Sequence, residues 1–255
     1  MHNEIFNGLR RGEFYVWYQP FLANDGARIA GVEALLRWNH PSRRIGPGEF
    51  IKVAERSGAI HELGLFVLRQ ACRDALQWPA LTVAVNVSAP QLLDPHFAET
   101  VQTIVQEAGL PFARLELEIV ESAFIEDFEI AEQAIIRLRK LGIRIALDDF
   151  GTGYSSLTYL RRLPLDKIKI DRSFVAEVDM VGSAAIVQAV VALGRALGLK
   201  MTAEGIETRD QYRFLRACGV HYMQGYLFSV PVAAAAVSEG LLPERCGLLR
   251  QDRVP

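Results

Sequence analysis

The chain has 255 residues, 50% hydrophobic and 23% charged, which suits one soluble unit with a sizeable core. Its formal net charge of −2 excludes a broad basic face for a nucleic-acid polymer. Cys72, Cys218 and Cys246 lack C-x-x-C spacing, which excludes a disulfide framework and fits a reducing cytoplasm.

The first residues, MHNEIFNGLRRGEF, carry no apolar stretch of a secretory leader. FYVWYQP (14–20) reads as a strand and ARIAGVEALLRW (27–38) as a second. PGEFIKVAERSG (47–58) and residues 61–78 space their apolar residues as helices do. LTVAVNVS (81–88) is a strand and 96–108 a helix; LELEIVES (115–122) is a strand and 129–141 a helix ended by Gly142. IRIALDD (143–149) is a strand, and residues 154–162 a helix that stops ahead of Pro164. LDKIKID (165–171) is a short strand. Residues 183–197 form a helix capped by Gly198, interrupted by Gln188 and Arg195 and too short to span a bilayer. LKMTAEGI (199–206), a helix from an N-cap Thr208 to Cys218, and VHYMQGY (220–226) complete the series. No Gly/Ser/Pro-rich linker or repeat divides the chain, so 1–255 is read as one domain.

Strand–helix alternation without hairpin signals predicts a parallel sheet covered by helices. A doubly wound open sheet would carry a glycine-rich phosphate turn after its first strand, and none is present. Instead, successive apolar runs end in polar groups: Glu33, Asn86, Glu118, the pair Asp148 and Asp149, Lys169 and Glu204. A charge closing a buried strand is costly unless it is partnered. Repeated along one chain, it is the pattern of a β/α barrel whose strand ends converge on one site. Oxygen ligands dominate the set, which points to hard divalent cations. Adjacent carboxylates such as Asp148 and Asp149 repel each other unless a cation or a proton intervenes. Glu116 and Glu118 share a strand face, and spacing does not separate them. Asp171 lies two residues beyond Lys169, on the same face, and is placed to pair with it. GTGYSS after Asp149 has neither the third glycine of a dinucleotide fingerprint nor a P-loop lysine. The five histidines form no H-E-x-x-H pair, and no G-x-S-x-G elbow is present, so covalent catalysis is not expected.

VEALLRWNHP (32–41), DDFGTGYSSL (148–157), KID (169–171) and QGYLF (224–228), preceded by YQP (18–20), occur in an order that closely resembles the EAL-domain family, the cyclic di-GMP phosphodiesterases. The resemblance covers residues 14–231. It implies a TIM-like (β/α)8 barrel, with room for an atypical first strand. It implies a site holding two ions, Mg²⁺ or Mn²⁺, on Glu33, Asn86, Glu118, Asp148, Asp149 and Glu204. Glu33, Lys169 and Glu204 would be catalytic, with the general base left open. Gln19, Leu36, Arg37 and Gln224 would contact substrate, while Glu121, Asp171 and Glu207 support the site. Cyclic di-GMP hydrolysis to linear pGpG is the implied reaction, with a catalytically silent cyclic di-GMP receptor as the alternative. A homodimer, fused or separate sensory or GGDEF domains, and a cytoplasmic location are implied as well. One departure is Val230-Pro231, where the family often has Lys-Pro; residues 232–255 carry no usable motif.

Overall fold

A computed structural model describes residues 2–151 and 157–239. Eight strands close in sequence order into a barrel: β1 (Phe14–Ala23), β2 (Ile29–Trp38), β3 (Thr82–Val87), β4 (Leu115–Val120), β5 (Arg144–Phe150), β6 (Lys167–Ile170), β7 (Lys200–Ala203) and β8 (Tyr222–Gln224). Around them run α1 (His2–Arg10), α2 (Pro47–Ser57), α3 (Ile60–Ala75), α4 (Ala89–Leu92), α5 (Phe97–Ala108), α6 (Ser122–Glu126), α7 (Phe128–Lys140), α8 (Leu157–Arg162), α9 (Arg172–Ala176), α10 (Val181–Ala196), α11 (Arg209–Cys218) and α12 (Ala234–Ser238). The expected barrel is present, and its first strand is the atypical one.

β2 through β8 pair in parallel, but β1 runs antiparallel to both β2 and β8. Strand–helix alternation predicts a parallel sheet, and β1 is the one strand that departs from it. Only residues 24–28 join β1 to β2, far short of the dozen or so that a parallel crossover needs. Asp25 closes that turn by accepting from the backbone N–H of Ala27 (2.9 Å) and Arg28 (3.1 Å), and Gly26 takes φ +69°. Asp-Gly at 25–26 is itself a hairpin signal, and the sequence reading passed over it.

β1 and β2 outrun their neighbours. β8 meets β1 only at Phe21–Ala23, and β3 meets β2 only over residues 31–34, so the rest of the hairpin rises above the rim. One face of that extension is sealed. Phe14 stacks on Trp38 (4.9 Å) and both rings meet Phe50 of α2, while Ile5 of α1 is fully buried beneath. α1 was not anticipated; nor were α4, α6 and α9, which follow β3, β4 and β6 and are too short to show a period. The longer helices behave as read. α3 buries Leu63, Val67, Leu68, Ala71, Cys72 and Ala75 along one stripe. α11 opens with a Thr208–Gln211 capping box and closes on Gly219 in the left-handed region. Among the described residues no helix is long and apolar enough to cross a membrane.

Candidate active site

Period-two alternation turns Glu33, Asn86, Glu118, Asp148 and Lys169 into the barrel, and Glu204 follows directly on β7. Glu33 and Glu118 do not end their strands, as the sequence reading supposed: β2 runs on to Trp38 and β4 to Val120. Ala34, Leu36 and Trp38 beyond Glu33, and Ile119 beyond Glu118, alternate to the outer face, so a charge inside the barrel need not stop the strand.

The Lys169 ammonium is the hub. Its Nζ lies 2.7 Å from Glu118 Oε2, 2.6 Å from Glu204 Oε1, 3.2 Å from Asp148 Oδ1 and 4.0 Å from Glu33 Oε1. Burial alone would strip its proton, but the surrounding carboxylates outweigh that and hold it well above the usual lysine range. Glu33 accepts from Asn86 Nδ2 (2.7 Å) and from Gln224 Nε2 (2.6 Å). Burial pushes the Glu33 carboxyl up; Lys169 and the two amide donors more than offset it, leaving it below the ordinary range. Burial pushes Glu118 well up against the pull of Lys169, helped by the neighbouring Glu33 and Asp148.

Adjacent strand residues should face opposite ways, yet Asp148 and Asp149 both reach the site. The β5–β6 register slips between Leu147 and Phe150, and Asp149 takes φ +52°, in a region that Asp tolerates better than most residues. Carboxylate oxygens of Asp148, Asp149 and Glu204 thereby come within 4.8 Å of one another. Burial, then the charges of Asp148 and Asp171, raise Asp149 to about 6. Burial, opposed by Lys169 and aided by Asp148, raises Glu204 to about 8.

Two glycine turns hold the far wall. A Cβ on Gly225 would lie 2.1 Å from the Ile206 carbonyl oxygen and 2.2 Å from its nitrogen. That close approach lets Ile206 N donate to Gln224 O (3.1 Å) and Leu227 N donate to Ile206 O (2.9 Å), tying the Glu204 turn to the Gln224 turn. Gln19 is buried beside them; its Nε2 donates to Ser229 O (3.1 Å), and its Oε1 lies 3.4 Å from Gln224 Nε2.

Other expected residues are placed differently. Asp171 does not join the lysine hub; it caps α9 through Ser173 N (3.0 Å) and faces Asp149. A carboxylate ahead of a helix start finds backbone donors closer than the lysine. Leu36 alternates with Glu33 and Arg37 along β2 and lines, together with Arg37, Asn86, Ile51, Leu63 and Val87, a mainly apolar cavity of about 280 Å³. Leu35 is the leucine on the site face, paired across the hairpin with Trp17. Arg37 shares that face, and its Nη1 donates to Leu36 O (3.0 Å). Glu121, which the family resemblance makes the support of the loop at 148–157, is buried at the start of α6; residues 152–156 of that loop lie outside the described ones. Glu207 is exposed outside the cluster, its backbone N–H donating to Gln211 Oε1 (2.8 Å).

The sequence reading missed Lys167. It shares a face with Lys169 and forms a 2.6 Å ion pair with Glu116 one level deeper, which separates Glu116 from Glu118. The alternation in KIKI carried that signal.

The site suits hard cations. Glu33, Glu118, Asp148 and Glu204 surround a single ammonium, and Asp149 adds a fifth carboxylate at the edge. Such an excess of buried negative charge is costly without counter-charge. Gln224 Oε1, a neutral oxygen of the type these ions accept, is buried without a hydrogen-bond partner.

A family model described as EAL domain matches residues 2–231. The chain belongs to the EAL-domain family. Cyclic di-GMP phosphodiesterase NbdA of Pseudomonas aeruginosa is 42% identical to this EAL domain over 252 residues, covering 94% of this chain and 32% of that protein. The bifunctional diguanylate cyclase/cyclic di-GMP phosphodiesterase MucR of the same organism is 40% identical over 239 residues, covering 91% of this chain and 35% of that protein. A solved MucR phosphodiesterase structure in complex with c-di-GMP superposes with a TM-score of 0.89 at 39% identity, covering 92% of this chain and 98% of that one. The chain spans about a third of the length of these curated relatives.

Proposed function

We propose that this EAL domain hydrolyses one phosphodiester bond of cyclic di-GMP to give linear pGpG. The observation that carries the reading is the ring of four carboxylates around Lys169, joined at its edge to the Asp148–Asp149–Glu204 cluster. Two divalent ions, Mg²⁺ or Mn²⁺, held by Glu33, Asn86, Glu118, Asp148, Asp149 and Glu204 would supply Lewis-acid charge at the phosphate and promote ionisation of the attacking water.

The chain's own groups do the rest. Lys169 keeps its proton and so acts as a fixed positive charge beside the phosphate, not as a base. Gln224 and Asn86 fix the Glu33 carboxylate from two sides. Arg37, on the site face of β2, offers a planar donor fork to a non-bridging phosphate oxygen. Water oxygen bonds to phosphorus, the bond to the 3′ oxygen breaks, and that oxygen leaves carrying a proton. The proton that the water gives up passes to a carboxylate of the cluster. The same reading carries a homodimer, supported by the exposed Met180, Val181 and Ile186 around the start of α10. Sensory or GGDEF partner domains and a cytoplasmic setting belong to it as well.

The test is turnover of cyclic di-GMP by the purified chain with Mg²⁺ or Mn²⁺, beside EDTA and Glu33→Ala controls. Metal-dependent pGpG, lost in both controls, supports the reading. Tight binding without turnover would establish a receptor instead.

A further inference from the structure

Above the rim, the β1–β2 hairpin shows its second face to solvent. Register pairs Gln19 with Glu33, Trp17 with Leu35 and Tyr15 with Arg37, and cross-strand partners share a face. The face that carries Gln19 and Glu33 into the site therefore continues outward as Trp17, Leu35, Tyr15 and Arg37. Trp17 stands roughly 7 Å beyond Gln19 along the strand. Trp17 and Tyr15 remain 38% and 39% exposed, with their rings edge to face at 5.8 Å. The alternate residues Phe14, Val16, Leu36 and Trp38 are all buried, so the hairpin is anchored from behind and its exposed aromatics stand on a rigid support.

We propose that Trp17, flanked by Tyr15, is the stacking platform for one purine base of the cyclic dinucleotide. This rests on the phosphodiesterase reading and adds a substrate-positioning residue to it. An indole face offers a base a large apolar area at little conformational cost, and aromatic stacking is the usual way proteins hold an exposed base. The geometry favours a substrate whose phosphate lies at the carboxylate ring. A base projecting from that phosphate toward β1 meets Trp17 first, with Arg37 beside it on the neighbouring strand. A structural role alone leaves the arrangement unaccounted for, because the face that stabilises the hairpin is the opposite one.

Trp17 also reports on itself. Trp38 and Trp78 are 5% and 4% exposed, so Trp17 is the one tryptophan of the chain's three that a ligand at the mouth can reach. The experiment mixes cyclic di-GMP with the Mg²⁺-loaded chain in a stopped-flow fluorimeter and measures steady-state kinetics of wild type, Trp17→Phe, Trp17→Ala and Tyr15→Ala. Expected are a fluorescence change that decays as substrate is consumed and is absent in Trp17→Phe, and a KM raised about tenfold in Trp17→Ala. In that variant kcat stays within about twofold and the melting temperature is unchanged, while Trp17→Phe recovers most of the KM and Tyr15→Ala shows a smaller rise. Active wild type with no fluorescence change and an unaltered Trp17→Ala KM overturns the platform and leaves the phosphodiesterase reading intact. A fall in kcat at constant KM overturns it too. Wild type that neither binds nor cleaves cyclic di-GMP overturns both.

Discussion

Two glutamate–lysine pairs stand one above the other inside the barrel, both built from β4 and β6. In the lower, Lys167 Nζ meets Glu116 Oε1 at 2.6 Å, and the Phe21 and Tyr222 rings cover the ammonium at 4.6 Å each. One cation faces one anion there, and aromatic faces complete the shell. In the upper, Lys169 pairs with Glu118 at 2.7 Å but is shared with Asp148, Glu204 and Glu33. Four carboxylates against one ammonium leave a formal charge of −3, from −4 and +1, when all are ionised. The strands, the residue types and the two-residue spacing are the same. The difference is stoichiometry: matched charge makes a floor, and surplus negative charge makes a place for cations.

The largest effect expected from breaking this contrast is on the upper level. Lys169→Met lowers kcat for cyclic di-GMP by about 100-fold or more, read in the pGpG assay; a loss under tenfold would show the lysine to be dispensable. Lys167→Met acts on stability instead. Urea unfolding should show a loss of about 3–5 kcal/mol from stranding Glu116, with kcat of the folded enzyme within about threefold. The double variant Glu116→Leu/Lys167→Met recovers most of that stability, because replacing both charges removes the stranded one. If Lys167→Met costs as much kcat as Lys169→Met, the two levels are not distinct.

Gly225→Ala sharpens the contrast from the side. Its Cβ meets Ile206 backbone at 2.1 Å, so the Gln224 and Glu204 turns must part, and kcat falls about tenfold or more. Gly198→Ala, in the left-handed region at φ +71° but with no atom within 4 Å of the new Cβ, should cost about 1 kcal/mol and leave kcat alone. Equal kcat losses in the two would mean that backbone strain, not site geometry, governs both.

The smallest effect is a pH slope. Folding raises Glu204 from 4.5 to about 8 and Asp149 from 3.8 to about 6. Over that window the folded chain keeps protons that the unfolded chain has released, so stability in EDTA falls as pH rises toward 8. Divalent ions replace those protons, so the melting-temperature gain on adding Mg²⁺ should be larger at pH 8 than at pH 6. Scanning calorimetry of wild type and Glu204→Gln reads this; a slope unchanged in Glu204→Gln would contradict the assignment.

Much of the site was legible because barrel alternation writes inward residues at every second position. That is why Glu33, Asn86, Glu118, Asp148, Lys169 and Glu204 stood out and do converge. The same rule explains the misses. It puts Lys167 on the face of Lys169, one level below it. Asp149 reaches the site through a register slip and a left-handed backbone, neither of which alternation encodes. Asp171 was assigned to the lysine by spacing, while helix capping claimed it. The antiparallel first strand was written in Asp25-Gly26 and in the shortness of the 24–28 link, a local signal overridden by the strand–helix rhythm that follows.

The measurement that bears most directly on the central claim is Mn²⁺ binding, followed by the EPR signal of free ion in wild type, Asp148→Asn and Lys167→Met. The account predicts two saturable ions per chain in wild type and in folded Lys167→Met, with at least one lost in Asp148→Asn. No saturable binding in wild type, or full binding in Asp148→Asn, would contradict it.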